Sequence, residues 1–222
     1  MKKLLIWDFD GVVADTERLW LYNRMLTINE TFHLNWSEEK THQTLLGMSD
    51  KTKKEVLDGL GLITDDTFWA KNKQLDYNAM LSKGFTPTEG IIDIFQIPNI
   101  KQCIATGGIK EKTAVKLKVA GIENYFPPEH VFTADMVLRG KPDPDLFLLA
   151  AQKMGEEPQD SIVIEDSIAG LKAALKAGCL PIAFTGCIHL DKDEYIESIR
   201  ELGILHIFDH MSELKSFILS QI

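Results

Sequence analysis

The amino-acid sequence predicts an α/β fold, a doubly wound parallel sheet interrupted by an inserted block of helices. Three observations carry this. Short apolar runs alternate with segments of helical periodicity from residue 87 onward. Glycine closes three of those helical segments, at Gly121, Gly155 and Gly178, where a left-handed residue commonly ends a helix. Between the first apolar run and this alternation lies a stretch, residues 15–86, with helical periodicity and few strand-like runs. Strands separated by helices pair in parallel through right-handed crossovers. Residues 1–14 and 87–222 are therefore expected to form one α/β core domain, and residues 15–86 a smaller helical domain inserted at the carboxyl edge of its sheet.

Residues 3–7 (KLLIW) read as a buried strand that stops at two acids and a glycine. Within the insertion, breakers at Gly47-Met48-Ser49-Asp50, Gly59-Leu60-Gly61 and Gly84 divide the chain into four expected helices. After Pro87, residues 88–96, 110–120, 144–154 and 167–177 read as helices. Residues 101–105 (KQCIA), 161–164 (SIVI) and 180–184 read as strands. Helix 167–177 is expected to bury Ile168, Leu171 and Leu175 on one stripe.

Composition narrows the partners. Lys and Arg number 24 against 33 Asp and Glu, a net charge of −9, which disfavours nucleic acid or an anionic membrane. A local cation or a helix N-terminus still admits an anionic small molecule. Cys103, Cys179 and Cys187 are too few and scattered for a disulfide framework or a zinc site, and their odd number fits a reducing compartment. Lys2-Lys3 and four apolar residues end at Asp8, short of a signal-peptide apolar region. No run approaches the roughly 18 apolar residues of a membrane-spanning helix. The expectation is a soluble, cytoplasmic protein; no feature sets its oligomeric state, and a monomer is compatible with the sequence.

Ligands of open α/β sheets bind beyond the carboxyl ends of the strands. The first strand ends in Asp8-Phe9-Asp10-Gly11, which alone is as compatible with an Asx turn as with paired-carboxylate chemistry. A calcium loop is excluded, because the twelfth position counted from Asp8 is Leu19 instead of glutamate. The second strand ends in Ala105-Thr106-Gly107-Gly108 ahead of a helix: a hydroxyl and bare N–H groups suited to a phosphate, or a plain turn. The later strand ends in Glu165-Asp166-Ser167. Its residues can cap a helix, or supply the carboxylates that Mg²⁺ takes alongside phosphate oxygens and water. Lys141, fixed between Gly140 and Pro142, suits a positioned charge, although a lone lysine ordinarily lies on the surface. His206 and His210 lack the glutamate of a zinc helix. Trp20, Trp36 and Trp69 read first as helical core, with Trp20 the one worth testing as a substrate platform.

The order of these signals (acid pair, hydroxyl, lysine, acid pair, at strand ends) resembles the haloacid-dehalogenase-like hydrolase superfamily. The likeness spans essentially the whole chain and is strongest in DFDGVVADTE (8–17), GKPDPDLF (140–147) and IEDSIAGLKAALKAG (164–178). The helical block resembles the family's cap domain, and the branch most similar is that of sugar-phosphate phosphatases and β-phosphoglucomutase-like enzymes. The resemblance implies a Rossmann-like core. It implies Asp8 as a nucleophile forming an aspartyl-phosphate and Asp10 as the acid that protonates the leaving alkoxide, then activates water. It also implies Mg²⁺ held by Asp8, the backbone carbonyl of Asp10 and Asp166, with Glu165 a further candidate ligand. Thr106, Gly107, Gly108 and Lys141 would hold the phosphoryl oxygens, and Lys141 would screen Asp8 from the incoming charge.

Dehalogenases of this superfamily lack the second acid of the first motif, so Asp10 favours phosphoryl transfer. A phosphonate hydrolase would need a cap lysine in a matching motif, and none stands in one. A mutase is the alternative: that branch resembles this chain in Asp15-Thr16, Gly47-Met48-Ser49 and Lys73. It expects histidine where Trp20 stands, and arginine where Asp50 stands to clamp a second phosphate. A non-catalytic metabolite-binding protein has no need of Asp8, Asp10, Thr106, Lys141 and Asp166 together. The expected reaction is Mg²⁺-dependent hydrolysis of a small phosphomonoester such as a sugar phosphate. The cap would close over the site and offer Trp20 and Arg24, one helical turn apart, and Lys73 as substrate contacts.

Overall fold

The computed structural model describes residues 1–45, 48, 50–188 and 192–222. Strands β1 (Leu4–Trp7), β2 (Lys101–Thr106), β3 (Val131–Thr133), β4 (Ser161–Glu165), β5 (Leu180–Phe184) and β6 (Ile207–Phe208) form one sheet in the order β3-β2-β1-β4-β5-β6. Every pairing is parallel. The helices of the described residues are α1 (Glu17–Phe32), α2 (Glu38–Leu45), α3 (Asp50–Gly59), α4 (Asp66–Lys83), α5 (Ile91–Phe95), α6 (Lys110–Val119), α7 (Asp145–Met154), α8 (Ile168–Ala177), α9 (Lys192–Glu201) and α10 (Met211–Gln221). The doubly wound parallel sheet is as expected from the alternating pattern.

The central strand explains its own sequence. All four residues of β1 are fully buried, as a parallel strand covered on both faces requires, so its run is continuously apolar instead of alternating. On one face Leu4 and Ile6 join Cys103, Ala105 and Val163 of neighbouring strands. Leu146, Phe147, Ala150, Ala151 and Met154 of α7 pack against them, with Ala173, Ala174 and Ala177 of α8. The alanines of α8 let that helix approach closely. Leu175 is 40% exposed, so the buried stripe of α8 runs through Gly170, Leu171, Ala174 and Ala177 and not through Leu175 as the sequence suggested.

Register sets the level of the strand ends. Leu4 pairs with Lys101 and Ser161, and Trp7 with Ile104 and Ile164. Asp8 therefore leaves β1 in the same row as Ala105 and Glu165. The chain runs outward from β1 to β2 and β3, then returns to β4 on the other side of β1. That reversal opens the crevice in which doubly wound sheets bind ligands.

Some elements differ from expectation. The helix expected over 88–96 is confined to α5, because Thr88 is taken by the first loop. Its hydroxyl donates to the Val12 carbonyl at 2.7 Å and its N–H to that of Val13 at 2.8 Å. The two- and three-residue edge strands β6 and β3, with α9 and α10, add to the expected elements.

The chain divides into two compact units, Met1–Asp15 with Phe85–Ile222, and Thr16–Gly84. The second unit has its own core of Leu21, Ile28, Trp36, Leu45, Leu57 and Phe68. Asn29 fixes the Trp36 backbone, accepting from its N–H at 2.7 Å and donating to its carbonyl at 2.9 Å. Gly47 and Ser49 lie outside the described residues. No helix among the described residues is long and apolar enough to cross a membrane.

Candidate active site

Asp8 is the first residue past β1 and is 5% exposed; its N–H donates to the Ile164 carbonyl at 3.0 Å, continuing the β1–β4 ladder one step beyond the strand. Lys141 comes in from the loop before α7. Its ammonium donates to Asp8 Oδ1 at 2.5 Å and to Glu165 Oε1 at 2.6 Å, and its side chain is only 10% exposed. The charge expected of Lys141 is thus buried and fixed between two carboxylates.

Glu165 ends β4 and is 1% exposed. Its second oxygen, Oε2, accepts from the Ser167 N–H at 2.7 Å and hydroxyl at 2.8 Å, while the Ser167 hydroxyl caps α8 by accepting from Gly170 N–H at 3.0 Å. A Cβ at position 170 would overlap the Glu165 carboxylate, which accounts for a glycine in the first turn of this helix. Both oxygens of Glu165 are therefore committed to protein donors.

The Asp166 carboxylate packs against Gly11. That glycine has φ +78°, and a Cβ there would overlap the carboxylate. The Asp166 backbone carbonyl accepts from the Tyr195 hydroxyl at 2.5 Å. On the other side of β1, Thr106 is 1% exposed and its hydroxyl oxygen accepts from the Gly108 N–H at 3.3 Å. Gly107 is exposed, with nothing within 4 Å of where its Cβ would stand. Asp10 is gripped from α6 by Lys116, whose ammonium lies 2.6 Å from each carboxylate oxygen.

Charge in this crevice is unbalanced. Asp8, Glu165 and Asp166 each place an oxygen within 4.8 Å of the others. Burial pushes the Asp8 carboxyl up to about 7, a rise that Lys141 opposes and that Glu165 and Asp10 reinforce. Burial, then the Glu165 and Asp8 carboxylates, raise Asp166 well above the usual range. Burial alone would depress the Lys141 ammonium, yet Asp8 and Glu165 together hold it above its ordinary value. Three carboxylates facing one ammonium, with oxygen as the only donor type, fit a hard divalent cation.

The core unit thus gathers Asp8, Asp10, Thr106, Gly107, Gly108, Lys141, Glu165 and Asp166 at adjacent strand ends. The remaining expected contacts belong to the helical unit. Trp20 is half-buried on α1, and Lys73 is exposed on α4. Arg24 is drawn inward, 5% exposed; its guanidinium lies 4.1 Å from the Trp69 ring centroid, and Nη2 donates to Asp50 Oδ1 at 3.0 Å. Burial lowers its basicity, against the raising effect of Asp50 and Asp76.

Lys116 and Tyr195 escaped the reading of the sequence. Lys116 had a signal: it sits between Thr113 and Leu117 on the buried face of α6, where a lysine has no packing reason to be. Tyr195 had none, since only the tertiary fold brings α9 to Asp166.

Comparison with known proteins agrees with this geometry. Residues 5–184 match the family described as haloacid dehalogenase-like hydrolase. The chain is 39% identical over 199 residues to hexitol phosphatase A of Escherichia coli (strain K12), covering 82% of each protein. It is 27% identical over 187 residues to fructose-1-phosphate phosphatase YqaB of the same organism, covering 78% of this chain and 92% of that one. A conserved haloacid dehalogenase-like protein of Agrobacterium tumefaciens str. C58 superposes with a TM-score of 0.84 at 25% identity, over 99% of both chains. With most of its length matched and its buried carboxylates and lysine at the strand ends, this chain belongs to the haloacid dehalogenase-like hydrolase family.

Proposed function

We propose that the protein is a Mg²⁺-dependent phosphatase that hydrolyses a sugar or sugar-alcohol monophosphate through a phosphorylated Asp8. The observation that carries this reading is the Asp8 carboxylate, buried at the sheet's switch point with Lys141 on one oxygen and an uncompensated carboxylate cluster beside it. The relatives named as hexitol and fructose-1-phosphate phosphatases support the substrate class.

Asp8 attacks phosphorus, and the bond from phosphorus to the leaving oxygen breaks as Asp10 gives that oxygen a proton. Water then attacks the same phosphorus, Asp10 takes its proton, and the Asp8–phosphorus bond breaks. Ester and water become alcohol and phosphate, with both side chains restored. Lys141 holds Asp8 in place and offsets the charge that would repel a phosphate dianion. Thr106 and the backbone at Gly107 and Gly108 hold the phosphoryl oxygens. Glu165 positions Lys141 and the start of α8. Mg²⁺, held by the Asp8 and Asp166 carboxylates and the Asp10 carbonyl, would supply further positive charge against the phosphoryl oxygens.

Asp50 argues against a mutase. Its carboxylate takes the Arg24 guanidinium, so the position where a mutase needs an arginine carries the opposite charge. Arg24 serves the interior of its own unit, and Trp20 is the better candidate for substrate choice. The free thiols, with Cys103 and Cys179 buried, are in keeping with a cytoplasmic setting. The test is phosphate release, with and without Mg²⁺, from a panel of hexose, hexitol and pentose phosphates. Metal-dependent release that is lost in Asp8→Asn is the expected result.

A further inference from the structure

Lys116 approaches Asp10 from α6, an element outside every strand-end motif. Its ammonium lies 2.6 Å from both Asp10 oxygens. The lysine side chain is 10% exposed and that of Asp10 is 38% exposed, so the ammonium is buried while the carboxylate that it holds stays partly accessible. The ammonium also lies 5.3 Å from the Phe9 ring centroid. Thr113 and Leu117, buried on the same face, fix the helix that carries it.

Packing alone does not call for this lysine. Leucine or methionine would fill the space without taking a charge out of water, and buried ion pairs are often replaceable in that way at no loss of stability. The stem of Lys116 is immobilised, unlike that of a surface lysine, so the pair acts as a rigid strut. Asp10 itself lies just past the strand, where sheet pairing no longer dictates its side-chain rotamer. A two-oxygen grip selects one rotamer of the carboxyl group.

We propose that Lys116 is a positioning residue that holds Asp10 in the orientation from which it protonates the leaving oxygen. The proposal rests on the phosphatase reading above. Its consequence depends on the leaving group. A sugar alkoxide is a poor leaving group and needs the proton as the P–O bond breaks, whereas 4-nitrophenolate departs without one. The value of kcat/KM reports the steps up to that cleavage, so it isolates the proton delivery from later hydrolysis of the phosphorylated Asp8.

The experiment compares wild type, Lys116→Met and Lys116→Arg with a hexitol phosphate and with 4-nitrophenyl phosphate. For Lys116→Met, kcat/KM on the hexitol phosphate should fall on the order of 10- to 100-fold, part of the usual contribution of a general acid. On 4-nitrophenyl phosphate it should change by less than about threefold. Lys116→Arg, whose fork can grip both oxygens, should recover most of the loss. Lys116→Gln, whose amide NH2 still donates but carries no charge, should show the same split in smaller measure and serves if the methionine variant does not fold. Equal losses on both substrates, or no loss on either, would overturn the positioning role while leaving the phosphatase reading intact. Wild type inactive on both substrates would remove the phosphatase reading and this proposal with it.

Discussion

Lys141 and Glu165 form a buried pair at 2.6 Å, and the same ammonium reaches Asp8 at 2.5 Å. Glu165 in turn holds Ser167, so one chain of charge-assisted bonds links the candidate nucleophile to the start of α8. Such a chain is rigid because each buried charge in it is held by an oppositely charged neighbour, and Glu165 by Ser167 as well.

Removing the cation should therefore damage both folding and chemistry. Lys141→Ala leaves two buried carboxylates unpaired and should cost about 3–5 kcal/mol in urea denaturation near neutral pH. Its phosphatase rate should fall by on the order of 10²–10³, the scale for loss of a charged group that stabilises a transition state. Glu165→Gln keeps Lys141 on Asp8 and should lose less of both. A Lys141→Ala protein as stable as wild type would show that the bridge is not a structural element.

The carboxylate cluster makes stability depend on pH and metal together. Asp8 is raised from 3.8 to about 7 in the folded chain, and Asp166 is raised as well. Between those values the folded chain binds protons that the unfolded chain has released. In chelator, this site's contribution to stability should accordingly fall as pH climbs from about 4 to about 7. Half-buried carboxylates held below their ordinary values by lysine partners, such as Asp58 and Asp160, act in the opposite sense. The contribution is best read as the difference between wild type and Asp166→Asn. That difference should steepen with pH in chelator and flatten in saturating Mg²⁺. A difference independent of both would contradict the charge imbalance.

Arg24 and Asp50 should respond unequally. Arg24 is 6% exposed at its side chain and Asp50 is 60% exposed. Arg24→Met replaces a buried cation by an apolar stem of similar reach and should shift stability by no more than about 1 kcal/mol either way. Asp50→Ala removes the carboxylate that the guanidinium donates to, leaving the Trp69 ring and the more distant Asp76, and should cost about 1–3 kcal/mol. Urea denaturation of the two variants checks the order, and the reverse order would show that the Arg24 guanidinium itself stabilises the unit and is not replaceable by an apolar stem.

Trp20 is half-buried on α1 and is the residue proposed above for substrate choice. Trp20→Ala should reorder the preferred sugar phosphates while changing 4-nitrophenyl phosphate hydrolysis by less than about threefold. A panel with unchanged proportions would remove Trp20 from substrate choice.

The groups at strand ends were legible because a parallel register converts sequence position into spatial level. Asp8, Thr106 and Glu165 each stand at or one step beyond the end of a strand, and the in-register pairing of Trp7 with Ile104 and Ile164 brings those ends to one edge. Lys141 was legible from its confinement between Gly140 and Pro142. What escaped depends on three-dimensional reach. Lys116 and Tyr195 come from helices, and their partners, Asp10 and Asp166, are far away along the chain. Arg24 and Trp20 share a helical face by spacing, but spacing does not say which of the two turns inward; Trp69 and Asp50 decide that. Leu175 misled because the buried face of α8 is made by Leu171 and the alanines, while Leu175 turns outward.

The most direct test of the account is acid quenching of the enzyme during turnover of a hexitol phosphate, followed by peptide mass analysis. One phosphoryl group is predicted on the peptide that contains Asp8, present in wild type and absent in a folded but inactive Asp8→Asn. Steady phosphate release with the phosphoryl group on another residue, or an Asp8→Asn variant that still turns over at near wild-type rate, would contradict it.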